Sequence, residues 1–278
     1  AERAHIDIAD DQAKRGPGMG QGAKARLRAV CAEAAEFFHT QLMRSKSPQA
    51  GAARAYLSQR GLGGDIPKTW MLGFAPGKGA LVRHLASKGF ESTEMIQANV
   101  AVVGSDGRVR DRFFNRVMFP IKDEQGQCVA FGGRVIGKGE PKYLNSQETP
   151  LFHKGRMLYA LDKAKAAMAS TGVAVVSEGY TDVIAMHEAG IRNAVATLGT
   201  ALTRTHIRVL SRHARKRIVY LFDGDAAGQR AADRALQFID SSMTPEAGAA
   251  RIDLFAVTLP DNLDPAEFIA AHGGQELQ

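Results

Sequence analysis

The sequence predicts an α/β protein: an N-terminal α+β subdomain followed by a subdomain built on a mostly parallel sheet. Three observations carry this expectation. From residue 156 on, strand-like runs alternate with helical patterns, a rhythm that implies parallel strands joined by crossover helices. Before that point, helix-like segments give way to a hairpin signal and two further strands. Finally, three acidic segments each follow an apolar strand-like run: Glu178 to Asp182, Asp223 to Asp225, and Asp261 to Asp264.

Taken in order, residues 1–22 are polar and broken by the glycines of Gly16 to Gly22. No strand precedes that cluster and its spacing fails G-x-G-x-x-G, so it reads as a flexible linker. From Ala23 to about Ser45, apolar residues recur at Leu27, Val30, Cys31, Ala34, Phe37, Phe38 and Leu42, the period of an amphipathic helix. Ser47 and Pro48 read as N-cap and first helical residue and Gly61 as the stop, giving a helix over 48–60. Further helices are expected near 79–88 and 91–98. Asp106-Gly107 marks a hairpin between Val100–Val103 and the run to Asp111. Strands follow at Arg116–Ile121 and Gln127–Ile136, joined by a turn at Asp123 to Gly126, and then comes a loop through Gly137 to Lys142. This first subdomain covers 23–155. The second, 156–278, is expected to hold strand 173–177, helix 181–189, strand 193–198, helix 203–213, strand 217–222, helix 226–240, strand 251–257 and helix 265–272.

The 278 residues suffice for about two domains, with 45% hydrophobic and 23% charged residues as in ordinary globular proteins. No apolar run approaches the ~18 residues needed to span a bilayer, and no signal peptide opens the chain, so no membrane role and a cytoplasmic location are expected. Cys31 and Cys128 are too few and too far apart for a paired-cysteine zinc site. The start at Ala1 and the stop soon after an acidic motif predict a fragment of a longer protein. A net charge of +7 favours a polyanionic partner. The basic residues cluster: Arg108, Arg110, Arg112 and Arg116; then Arg134, Lys138, Lys142, Lys154 and Arg156; then Arg204, Arg208 and Arg212 through Arg217.

In an open parallel sheet the C-terminal strand ends form the ligand crevice, so the acidic segments should converge there. Two carboxylates about 4 Å apart at an effective dielectric near 20 repel by on the order of 4 kcal/mol. Hard divalent cations relieve that repulsion, and oxygen-rich sites suit magnesium or manganese. Each acid also has a plainer reading alone. Asp225 could be a helix N-cap, Asp182 a first-turn acid, and Asp264-Pro265 a cap followed by proline at the first helical position. Glu178, between a strand and a glycine turn, fits no such role. Metal binding is preferred because all three segments fall at the same end of alternating strands.

Glu178-Gly179-Tyr180-Thr181-Asp182-Val183 and Phe222-Asp223-Gly224-Asp225-Ala226-Ala227-Gly228 resemble the glutamate and Asp-x-Asp motifs of the toprim domain, a Rossmann-like fold. Thr197 to Thr203, Lys142 to Thr149, Leu151 to Arg156, Asp111-Arg112-Phe113 through Ile121, and Phe131 to Arg134 narrow the match. Together, from about Tyr56 to Gly273, they resemble the RNA polymerase core of bacterial DnaG-type primases. The resemblance implies synthesis of short RNA primers de novo on single-stranded DNA from nucleoside triphosphates, with two or more Mg²⁺ or Mn²⁺ ions and no zinc in this part. It implies Glu178, Asp223, Asp225 and Asp264 as metal ligands, with Asp182 and Asp264 acting directly or through water. Glu178 is also a candidate base. Lys142, Asn145 and Lys154 are implied to border the active site and touch nucleotide or template. Arg112, Arg116 and Arg134 are implied to lie on a basic surface that guides the template.

Arginine forks and lysine point charges suit phosphate. Arg204, Arg208 and Arg212 share a helix face that reads equally as solvated charge. Tyr143, Phe113 and Phe114 are candidates for base stacking, although for the latter two a core position is the preferred reading. His153 is either a phosphate contact or a surface histidine. The family's third acidic motif is often Asp-Pro-Asp, whereas Asp264-Pro265-Ala266 lacks the second aspartate, so either Glu267 substitutes or that ligand is dispensable. The zinc ribbon and the helicase-binding domain of the family are not expected here. Coupling to the replicative helicase would need the latter, and a monomer is expected. A toprim nuclease and a non-catalytic single-strand-binding module are the rival readings.

Overall fold

In the computed structural model, residues 20–222, 252–260 and 263–277 are described. The first subdomain opens with α1 (Gln21–Arg44), which starts two residues inside the expected linker. Its buried stripe is Leu27, Val30, Cys31, Ala34, Ala35, Phe38 and Leu42, the expected period, with Phe37 only partly covered. Helix α2 (Pro48–Gln59) begins as anticipated, Ser47 accepting the Ala50 N–H and Pro48 occupying the first turn. After a short α3 (Ile66–Thr69) come β1 (Gly73–Ala75), α4 (Ala80–Ser87) and α5 (Ser92–Gln97). The hairpin β2 (Ala101–Val103) and β3 (Val109–Asp111) forms about the Asp106-Gly107 turn, with Gly107 at φ 75°.

Strands β4 (Arg116–Lys122), β5 (Cys128–Val135) and β6 (Tyr143–Asn145) complete an antiparallel sheet of order β1-β4-β5-β6. Pro120 lies inside β4, an unusual place because proline has no N–H for the ladder. Here β1 pairs only with Arg116 to Met118, so Pro120 has no neighbour on that side. Strand β5 reads as a continuous buried run because both faces are covered. Phe131 packs on Phe38 of α1 and Gly132 lies under Tyr180 of the second subdomain. Cys31 and Cys128 are free thiols within this first core, and burial pushes Cys31 up to about 12.

The second subdomain holds α6 (Leu161–Thr171), β7 (Val173–Ser177), α7 (Tyr180–Glu188), β8 (Ala194–Ala196), α8 (Arg204–Ser211), β9 (Arg217–Phe222), β10 (Asp253–Thr258) and α9 (Pro265–His272). The sheet is parallel, in the order β10-β9-β7-β8. The expected helix 226–240 lies outside the described residues, as does the linker before residue 20. From β7 the chain crosses to β8 on one side, while β9 returns to the other side of β7, next to β10. The crevice at the C-terminal ends of β7 and β9 is therefore the switch point where such sheets bind ligands. One cluster of buried residues runs across the boundary placed at 155/156, from Leu42, Trp70 and Phe119 to Tyr180, Ile184 and Leu221.

Candidate active site

Glu178 is the first residue past β7 and its side chain is exposed. Gly179 then caps α7 in extended backbone, where an added side chain would displace the Asp182 carboxylate. A Cβ on Gly179 would sit 2.2 Å from Asp182 Oδ2, because the Asp182 carboxylate folds back over the turn. Asp182 is 6% exposed in the first turn of α7, where the helix dipole favours a negative charge. Asp223 and Asp225 lie outside the described residues. Among the described residues, no group of three His, Cys, Asp or Glu side chains could hold a metal ion.

Asp264 fills the helix-capping role. It caps α9, with Oδ1 accepting the Glu267 N–H at 2.7 Å, while Glu267 Oε2 accepts the Asp264 N–H at 3.3 Å. Arg60 Nη1 approaches both carboxylates, at 3.9 and 3.8 Å. Glu267 thus completes a capping box where the family motif often has its second aspartate one residue earlier.

Tyr180, two residues after Glu178, is held from several sides. Its ring stacks on Phe119 at 5.2 Å and 12°, meets Tyr159 edge-on at 4.9 Å, and lies directly over Gly132. Its hydroxyl donates to Asn145 Oδ1 at 2.7 Å, and burial pushes its pKa up, so it remains a donor. Asn145 Nδ2 donates to Leu198 O at 3.0 Å, beside Gly199. This amide therefore has a protein partner at each end. Tyr180 stood inside the glutamate motif without being singled out as functional. Its signal is a tyrosine whose ring needs a gap, matched by the Gly132-Gly133 pair.

The basic residues divide by burial. Arg116 is a correction to the expected surface: it is 3% exposed, its apolar stem packed in β4 and its Nη1 donating to Gly133 O at 3.0 Å and Lys142 O at 3.4 Å. Arg112 is part-buried and donates to Asn145 O at 3.2 Å. Burial lowers the pKa of both guanidinium groups. The Arg134 guanidinium lies over the Tyr56 ring at 4.5 Å and bonds the Val135 carbonyl. Lys142 is exposed and Lys154 half-buried. Among the described residues, no carboxylate forms an ion pair with Arg112, Arg116, Arg134, Lys142 or Lys154. Arg212 differs, since it pairs with Glu124 at 2.8 Å. The two phenylalanines separate: Phe113 is 1% exposed in the core and Phe114 62% exposed. Tyr143, opposite Arg134 in the ladder, is exposed, and His153 faces Glu148 at 2.9 Å.

The loop carrying Lys154 is tied to α8. Thr203 Oγ1 donates to Gly155 O at 2.6 Å, and His206 Nε2 donates to Lys154 O at 2.8 Å. His206 Nδ1 accepts the Thr203 N–H at 3.2 Å, so the ring is neutral with its proton on Nε2. Burial lowers the pKa of His206 below the ordinary 6.5. The unfolded chain then binds this proton more readily, and stability is lost as the pH falls through and below that value. The melting temperature should therefore fall between about pH 7 and about pH 5.5. His206→Gln, which keeps a Thr-x-x-Gln capping box without a titrating ring, should flatten the slope. Equal slopes in the two proteins would remove His206 from the acid sensitivity, leaving His187, whose pKa burial also lowers.

Comparison with known proteins matches these parts in order. Residues 37–165 match the family model described as the DNA primase catalytic core, N-terminal domain, and residues 172–250 match the toprim domain. DNA primase of Pseudomonas aeruginosa is 43% identical over 276 residues, which cover 98% of this chain and 40% of that protein. The chain thus spans about two fifths of the length of this curated relative. The crystal structure of the RNA polymerase domain of Mycobacterium tuberculosis primase DnaG superposes with a TM-score of 0.81 at 36% identity, covering 92% of this chain and 82% of that one. A DnaG primase catalytic domain bound to single-stranded DNA gives 0.80 at 37% identity, covering 93% and 81%. With both family models matched in order and a solved relative at 36% identity covered over 82% of its length, the chain belongs to the family of DnaG-type primase catalytic cores.

Proposed function

We propose that this chain is a DNA-directed RNA polymerase core that joins nucleoside triphosphates into short primers de novo on single-stranded DNA. One observation carries the reading. An acidic strand end at the switch point of a parallel sheet lies on the subdomain joined to a set of arginines and lysines that includes Arg112, Arg134, Lys142 and Lys154. The register supports convergence of the acids: the last pair of the β7–β9 ladder is Val176 with Tyr220, so the chain leaves β7 for Glu178 near the end of β9 at Phe222, which Asp223 follows in sequence. Adjacent strands are about 4.8 Å apart, within reach of a shared cation. The solved relative bound to single-stranded DNA supports a single-stranded template as partner.

The donor set is all carboxylate, which suits Mg²⁺ or Mn²⁺; Glu178, Asp223 and Asp225 would hold the ions, with Asp182 and Asp264 in support. Bound there, such ions would supply acidification of an attacking 3′-hydroxyl and charge neutralisation of the leaving pyrophosphate. The chain's own side chains bind and orient. Lys142 and Lys154 meet phosphates as point charges, and Arg112 and Arg134 offer guanidinium groups to the template or triphosphate. Arg116 acts from below, holding the Lys142 carbonyl and hence the loop that presents Lys142. The partners are then template, triphosphates and nascent primer, with helicase coupling through a separate domain of the whole protein.

Incubation with labelled triphosphates, Mn²⁺ and single-stranded template tests the reading. Short RNA products are expected. A shortened template instead would indicate a nuclease, and retention of template without turnover a binding module. Lys142→Ala should weaken template binding and reduce the slope of log affinity against log salt by about 0.7, the share of one phosphate contact on a single strand. Arg134→Ala should act in the same direction. An unaltered slope would take them off the contact surface.

A further inference from the structure

We propose that Asn145 and Tyr180 are positioning residues for the acidic site, fixing the Glu178-bearing turn against the sheet that presents the basic side chains. The inference rests on the functional reading above and deepens it. Tyr180 is the first residue of α7, two positions after Glu178 and two before Asp182, so any displacement of its ring moves both carboxylates. The ring is fixed by Phe119 on one face, Tyr159 at its edge and the Gly132 backbone beneath it. Those contacts hold the ring in its slot, but the hydroxyl sets how far it reaches, and the Asn145 amide is its stop.

The other end of the same amide holds the Leu198 carbonyl, at the exit of β8. A Cβ on Gly199 would sit 3.2 Å from Asn145 Nδ2, so the β8 exit comes close to the amide as well. One short side chain on β6 therefore ties together the first turn of α7 and the β8 exit, the two segments that flank Glu178. Through the Asn145 carbonyl it also receives Arg112. The motifs Lys142 to Ser146, Glu178 to Asp182 and Thr197 to Thr203 meet at this bracket.

The test compares the whole chain with Tyr180→Phe, which removes one oxygen and keeps the ring, and with Asn145→Ala. Three quantities separate positioning from contact: Mn²⁺ needed for half-maximal primer synthesis, Mn²⁺ bound without substrates from loss of the free-ion electron paramagnetic resonance signal, and affinity for a single-stranded oligonucleotide without metal. Tyr180→Phe should raise the Mn²⁺ requirement and weaken Mn²⁺ binding by about three- to tenfold, with oligonucleotide affinity within about twofold. Unchanged Mn²⁺ binding in a folded Tyr180→Phe protein overturns the proposal, and so does a loss confined to oligonucleotide affinity. Should Asn145→Ala fail to fold, Tyr180→Phe alone decides. If the unmodified chain makes no RNA while Tyr180→Phe still weakens Mn²⁺ binding, the polymerase reading fails and the positioning role stands.

Discussion

Exchanging Glu178 for Gln should abolish RNA synthesis while leaving the melting temperature where it was. The side chain is exposed at the end of β7, so its removal from the stability balance is worth within about 0.5 kcal/mol, the usual range for surface substitutions. Its chemistry is another matter. Glutamine keeps the shape and loses the charge, and a lost carboxylate ligand removes several kcal/mol of charge stabilisation, about a thousandfold or more in rate. Primer yield in the presence of Mn²⁺ and a thermal melt measure the two sides. The same variant separates ligand from base. A ligand role predicts weaker Mn²⁺ binding without substrates, and a pure base role predicts intact binding with slow turnover. Unchanged primer yield would remove Glu178 from the reaction and weaken the assignment of the whole acidic set.

How far this site could be read from sequence depended on whether each contact is local. Helix α2 was legible because Ser47 and Pro48 mark its start by chemistry confined to one turn. The hairpin about Asp106-Gly107 and strand β9 were legible for the same reason, and α9 matched its expected 265–272 bounds through the Asp264 cap and Pro265. Helix α6 was missed although Leu161, Ala164 and Met168 recur at helical spacing and Gly172 ends it at φ 77°. Strands β1 and β6, three residues each, were not legible. Each exists because a longer neighbour supplies the ladder, and Tyr143-Leu144-Asn145 carries too short an alternation to announce itself. The charged residues failed in an instructive way. The family resemblance implied one surface for Arg112, Arg116 and Arg134, yet strand alternation across β4 sends Arg116 inward to backbone carbonyls. The partners of the Asn145 side chain were not legible, since Tyr180 and Leu198 are 35 and 53 residues away in sequence.

Gly132→Ala should lower stability by about 1–3 kcal/mol, a fall of about 3–10 °C in melting temperature for a chain of this size. The added Cβ would stand 2.5 Å from Tyr180 Cζ and 2.6 Å from Cε2 and the hydroxyl oxygen, well inside contact distance. A flexible surface side chain would swing aside, but this ring is only 5% exposed and stacked on Phe119, with its hydroxyl on Asn145. Relief has to come from separating β5 from α7, which opens the core shared by the two subdomains. Gly133→Ala is the control on the opposite face of the same strand. Its Cβ would meet Arg116 Cδ, Phe113 Cδ1 and Met118 Sδ at 3.0, 3.2 and 3.3 Å, where shifts of a few tenths of an ångström suffice, so its cost should be smaller. The pairwise origin of the Gly132 effect is open to a double-mutant cycle. With Tyr180→Leu in the background the obstructing ring is gone, and adding Gly132→Ala should cost little further, a strongly non-additive result. Additive losses would mean that the glycine is required by the strand itself and that Tyr180 is not what its missing side chain accommodates.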